Sequence, residues 1–148
     1  MAFVLSIWLV CIATCDLRHR RVPNLLVLAG VCTAVVALVG GWQPLGVDWR
    51  TAVMTAATAF AVLLGFYAVG LMGAADVKFA AALGLWIGPW PLLWVWVGAS
   101  LLAGVHALAL LVWRSRTGLP RTRKREIPYA AHMAVMTMGW LAWQHHMS

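Results

Sequence analysis

The stretch Met72-Gly73-Ala74-Ala75-Asp76-Val77-Lys78 places an acid in the middle of a very apolar region. No charged residue lies between Thr51 and Tyr67, and none between Phe79 and Trp113. A carboxylate with so little polar company is costly in lipid, so it faces a protein interior or a wet cavity and marks function. The small residues before it let another backbone or a substrate approach closely. An acid used for chemistry often has a partner, and the chain holds only Asp16, Asp48, Asp76 and Glu126.

The composition sets the class. Of 148 residues, 64% are hydrophobic and 10% charged, where a water-soluble domain carries about a quarter charged. This is the profile of an all-α, polytopic membrane protein forming one domain over residues 1–148, with room for about six transmembrane helices. The apolar runs place spans over residues 1–17, 25–41, 51–71, 77–88, 92–113 and 127–143. A cleaved signal peptide would carry positive charge before the first run, whereas Arg18, Arg20 and Arg21 follow it. Pro23 suits the start of the second helix, and Gly88-Pro89-Trp90-Pro91 suits a turn. No internal repeat or linker divides the chain.

Charge orients these spans. With the termini outside, the inner connections carry Arg18, Arg20, Arg21, Lys78, Arg114, Arg116, Arg121, Arg123, Lys124 and Arg125, and the outer ones carry Arg50 alone. Ten against one is a strong positive-inside bias. Trp42, Trp49, Trp86, Trp90, Trp140 and Trp143 then fall near outer span ends, as an aromatic belt would. The net charge of +7 becomes a topology signal plus attraction to anionic lipid heads, which argues against nucleic acid as a partner.

In this topology Asp16 ends span one and Asp76 starts span four, both at the inner side. Two carboxylates a few ångström apart share one proton between them. The ionised member can take a proton from water while the protonated one donates to a carbonyl oxygen, which is general acid–base hydrolysis of an amide. The plainer alternatives are an interfacial acid beside three arginines for Asp16, and a helix cap paired with Lys78 for Asp76.

Two motifs separate these readings. Asp16-Leu17-Arg18-His19-Arg20-Arg21-Val22-Pro23-Asn24 resembles the first-aspartate motif of type IV prepilin peptidases, an Asp followed by Ile/Val-Pro-Asn. Gly73-Ala74-Ala75-Asp76-Val77-Lys78 resembles their second motif, Gly-x-Gly-Asp followed by Val/Ile-Lys. Residues 80–88 and Ile127-Pro128-Tyr129-Ala130 also resemble the small members that accompany tight-adherence (Flp-type) pili. The resemblance covers nearly the whole chain. It implies an aspartic endopeptidase of the bacterial inner membrane with Asp16 and Asp76 as the catalytic pair. Pro23, Asn24, Gly73, Ala75 and Lys78 would support the motifs. The substrate would be a prepilin, whose hydrophobic N-terminal helix slides along the spans and whose short basic leader is removed at the cytoplasmic face. Larger members also N-methylate the new terminus through an extra domain; that domain is not found here, so no methyl transfer is expected. No cofactor or metal is expected. Ala75 stands where the family has its second glycine, and alanine would be strained there by about 1–2 kcal/mol if the position needs a positive φ.

Other polar residues have simpler readings. His106 and His132 fall within spans five and six, where a neutral histidine bonded to a neighbouring helix competes with a proton relay or a metal site. Cys11, Cys15 and Cys32 read as packing residues. Asp48 reads as a surface partner of Arg50, and Glu126 as an acid favouring the start of span six. His145 and His146 read as a polar tail. Two alternatives to the peptidase remain at this level. One is a proton-coupled transporter, although the paired half-sequences expected of one are missing; the other is a pilus-assembly subunit impaired by Ala75.

Overall fold

The computed structural model describes residues 1–117 and 127–147. Six helices occupy them: α1 Ala2–His19, α2 Asn24–Val39, α3 Trp49–Ala68, α4 Ala74–Ile87, α5 Pro89–Thr117 and α6 Tyr129–Met147. Among them α1, α3 and α5 are long and apolar enough to cross a membrane by length and composition. Large apolar side chains such as Phe3, Val10, Val39, Leu101 and Val105 stand exposed on the outside of the bundle. Such a surface suits lipid and would be a liability in water. Arg121, Arg123, Lys124, Arg125 and Glu126 lie outside the described residues.

The bundle is built around α4. This helix packs against α2, α3, α5 and α6, and from Asp76 to Ile87 every residue is buried except Lys78 and the half-buried Ala81. A helix that is apolar all round belongs inside a bundle. Its 14 residues rise only about 21 Å. The segment expected as a short fourth span is a helix shielded on every side by its neighbours. It also starts earlier than the expected Val77, so Asp76 lies within its first turn.

Two indoles lock α2 to this core. Trp86 is fully buried and its Nε1–H donates to the Gly30 carbonyl at 3.0 Å. Trp8 donates in the same way to Leu26 at 2.8 Å and packs its ring on Phe79 with centroids 5.3 Å apart. Trp86 is therefore a core residue and not a member of the aromatic belt, because its polar edge found an acceptor inside the bundle. Trp42, Trp49, Trp90 and Trp143 do stand exposed.

The ends of α4 are closed by other parts of the chain. Gln43, in the α2–α3 connection, donates from Nε2 to the carbonyls of Leu85 at 3.1 Å and Trp86 at 3.0 Å. Those carbonyls have no intrahelical partner at a helix C-terminus. Gly88 then turns the chain alone, with φ +74°, and α5 begins at once. Pro89 and Pro91, expected in a longer turn, sit in the first turn of α5, where missing N–H groups cost little. Asp48 caps α3 by accepting from the Thr51 N–H at 3.0 Å. It is thus a helix cap rather than the surface partner of Arg50. The Thr51 hydrogen bonds hold its carboxyl below the usual carboxylate value. That contribution is present at neutral pH and is lost as pH falls through the lowered value. Cys11 and Cys32 are exposed and only Cys15 is half-buried, so the first two face outward instead of packing in the core.

The Trp8 contact makes Gly30 sensitive. A Cβ there would fall 2.2 Å from the Trp8 ring. Gly30→Ala should force the indole off both Leu26 and Phe79, at about 1–3 kcal/mol. The expected result is a lowered melting temperature of the detergent-solubilised protein, by thermal-shift fluorescence, with Gly139→Ala, where a Cβ meets nothing within 4 Å, as control.

Candidate active site

Asp76 is the third residue of α4. Gly73 precedes the helix with φ −91° and ψ 149°, an extended conformation. Its N–H donates to Asp76 Oδ2 at 3.2 Å, and its carbonyl accepts from the N–H groups of Asp76 and Val77 at 3.0 and 3.1 Å. The carboxylate therefore sits at the positive end of its own helix, where the dipole favours negative charge. It remains almost completely buried, at 7% exposure.

Asp16 lies one turn before the end of α1, which stops where Arg20 takes a left-handed conformation and bonds back to the Asp16 carbonyl at 2.9 Å. Its side chain is 6% exposed. Asp16 Oδ2 accepts from the Ala131 N–H at 2.9 Å. Ala131 is the third residue of α6, so its N–H is one of those a helix cannot satisfy internally. Asp16 is thus no solvated interfacial acid: it caps a helix from across the bundle.

The first turn of α6 receives Asp16, which bonds Ala131 two residues after Tyr129, the first residue of the helix. The Tyr129 hydroxyl in turn shares a 2.8 Å hydrogen bond with Ser100 and lies 3.4 Å from the Trp96 carbonyl, both on α5. Each motif thus places a buried carboxylate at a helix N-terminus, Asp16 at that of α6 and Asp76 at that of α4. Such acids can hold, take and give protons in a place largely shut off from water.

The motif residues fall into distinct roles. Lys78 Nζ donates to Asn24 Oδ1 at 3.3 Å, so the second motif is tied directly to the first, and Lys78 meets Asn24 where pairing with Asp76 was one expectation. Pro23 sits just before α2 as its N-cap, one position earlier than expected, with its carbonyl receiving the Leu26 and Val27 N–H groups. Ala75 is the second residue of α4, and the only non-glycine residue with positive φ among those described is Arg20. Alanine therefore bears no backbone strain at this position.

Some partners were not foreseen. Tyr129, Ser100 and the Ala131 N–H carry no charge and no metal-binding signature. The one available signal was Pro128 before Tyr129, which marks a helix start and hence free N–H groups. His106 and His132 meet each other: His106 Nδ1 lies 3.4 Å from His132 Nε2, and His132 Nδ1 lies 2.6 Å from the Pro128 carbonyl. A carbonyl only accepts, so His132 donates from Nδ1 to Pro128. This is the inter-helix histidine contact expected, with the other histidine as partner.

Comparison with known proteins shows the family. The model of the type IV leader peptidase family matches residues 3–108. The prepilin leader peptidase/N-methyltransferase of Xanthomonas campestris pv. campestris is 31% identical over 95% of this chain and 48% of its own length. That of Aeromonas salmonicida is 30% identical over 96% of this chain and, again, 48% of its own. The chain thus spans about half the length of the curated relatives it matches. No solved structure matches it. With both aspartate motifs inside the matched segment, the chain belongs to the type IV leader peptidase family.

Proposed function

We propose that the protein is an aspartic endopeptidase that removes the leader peptide of type IV (Flp-type) prepilins, with Asp16 and Asp76 as its catalytic pair. The observation that carries this reading is that both motif aspartates are buried and each accepts a backbone N–H at the start of a helix, Asp16 from Ala131 of α6 and Asp76 from Gly73 before α4. The family is that of leader peptidases, and two relatives bear prepilin leader peptidase in their names. Family membership removes the ground for a proton-coupled transporter. The helical backbone at Ala75 removes the conformational reason for a catalytically impaired subunit.

In the proposed mechanism a water molecule lies between the carboxyls. The ionised one takes its proton as the oxygen attacks the scissile carbonyl, and the protonated one donates to the carbonyl oxygen. The neutral gem-diol intermediate then collapses: one of its hydroxyls returns a proton to the carboxylate that had donated and re-forms the C=O, the C–N bond breaks, and the leaving amine takes the proton that the other carboxyl had accepted from water. Each carboxyl ends in its starting protonation state. Burial among apolar residues excludes competing water and strengthens each electrostatic contact.

The same reading places the protein in the bacterial inner membrane. Six spans, termini outside and the acids toward the cytoplasm satisfy the positive-inside bias. α4 supports this placement. About 21 Å of helix cannot cross about 30 Å of hydrocarbon, so with its Gly88 end near the outer surface, Asp76 lies below the inner one. Lipids contact the apolar outer faces, and the partner is the prepilin.

Three outcomes are expected. In membranes carrying a co-expressed Flp-type prepilin, Asp16→Asn and Asp76→Asn should each cut processing by about 10²-fold or more, at equal insertion, on the gel shift between precursor and mature pilin. Full processing by either variant would sink the two-aspartate mechanism. Rate against pH should be bell-shaped, because one carboxyl must be ionised and the other protonated; a monotonic profile would contradict the dyad. Ala75→Gly should not speed cleavage, and should lower stability by up to about 1 kcal/mol, since glycine gains nothing at a helical position. A clear acceleration would show that the glycine of the family motif serves catalysis directly.

A further inference from the structure

α3 and α5 both pack on α4 but barely meet each other. Between them opens an apolar cleft of about 510 Å³. Thr58 and Ala59 of α3 line one wall, Leu93 and Trp96 of α5 the other, and Ala80 of α4 and Met133 of α6 form the floor. From Thr51 to Leu63 the α3 wall extends for roughly 18 Å at the rise of a helix, enough for about three turns of another helix beside it.

Two features say what the cleft holds. The first is its continuity with the aspartates. Ala80 lies one helical turn after Asp76, on the same face of α4, because residues four apart stack. Met133 lies one turn after Tyr129, on whose hydroxyl the Trp96 carbonyl and Ser100 converge. Near Leu63, the edge contact between Phe66 and Trp96, with centroids 5.8 Å apart, bridges the two walls. The second is an unmet donor. Trp96 Nε1–H is buried and has no hydrogen-bond partner among the described residues. Native indoles in that position nearly always find one.

Building on the peptidase reading above, we infer that the α3–α5 cleft is the docking groove for the apolar helix of the substrate, and that Trp96 donates to an acceptor on that helix. The charge pattern fits such an occupant. Its apolar segment fills the cleft and its cationic leader lies toward the two buried acids. A lipid acyl chain would fill the same volume but offers no acceptor deep in the cleft and no cation for the carboxylates. The sparse α3–α5 contact is then the side entrance by which a membrane-embedded helix reaches the site without leaving lipid.

The test uses the full chain and a Flp-type prepilin. A photo-crosslinking residue is placed at Thr58 in the cleft, or at Phe60, which is exposed but does not line it, in an Asp76→Asn background that stalls cleavage. Thr58 should crosslink the prepilin and Phe60 should not. With the active, detergent-solubilised enzyme, Trp96→Phe keeps the ring and removes only the N–H. It should raise KM for the prepilin by about three- to tenfold with a smaller change in kcat. Ala59→Trp, which fills the groove, should raise KM further, while Phe60→Trp leaves processing unchanged. Crosslinking of lipid alone at Thr58, or unchanged KM in both cleft variants, overturns the inference while leaving the peptidase intact. Prepilin left uncut by the wild-type chain, or cut as well by Asp76→Asn, overturns the peptidase reading, and this inference with it.

Discussion

The hydrogen bond from the Ala131 N–H to the Asp16 carboxylate is the interaction on which the rest of the site depends. A buried carboxylate without donors costs several kcal/mol, and Asp16 takes its donor from another helix. The first turn of α6 can offer one, since its leading N–H groups have no partners inside the helix. The same bond satisfies both ends of the deficit. It also fixes where α6 can begin, because the N–H must be free, and so fixes where Tyr129 and His132 fall. α1 and α6, the first and last helices of the chain, pack together around it.

Asp76 solves the same problem locally. As the third residue of α4 it accepts from the N–H of Gly73, in front of its own helix. The two acids are thus stabilised by the positive ends of two different helices, and those helices, α4 and α6, pack against each other. An arrangement of this kind lets backbone N–H groups at helix starts support a carboxylate in an apolar setting. Lys78, the nearest cation in sequence, is instead turned outward to Asn24, where it ties the two motif segments without entering the pocket of the acids.

Everything else secures α4. Its burial on all sides is what lets so short a helix exist inside a membrane protein, since each of its unsatisfied backbone groups must find a partner away from lipid. Gln43 supplies that partner at one end, Gly73 and Asp76 at the other, and the Trp86 indole pins its flank to α2. The cost of this design is a loose boundary between α3 and α5, which lean on α4 and not on each other. The apolar cleft there follows directly from the shape of the core.

The chain alone determined the class, the helix inventory and the two acids. Hydropathy is a local property, so runs of apolar residues marked all six helices to within a few residues. The aspartate motifs are likewise contiguous, and so were legible. Tertiary structure decided what could not be local. Asp16 and Ala131 are 115 residues apart, and one backbone N–H looks like any other in a sequence. Trp86 had the hydropathy and position of a belt residue, and only the nearness of the Gly30 carbonyl made it a core residue. α4 had the composition of a short span, and only neighbours on every side made it a buried helix. Ala75 stood where glycine was expected, and only the backbone conformation there, helical with negative φ, showed that alanine fits without strain. In each case the residue type set what interactions were possible, and the packing of distant helices chose among them.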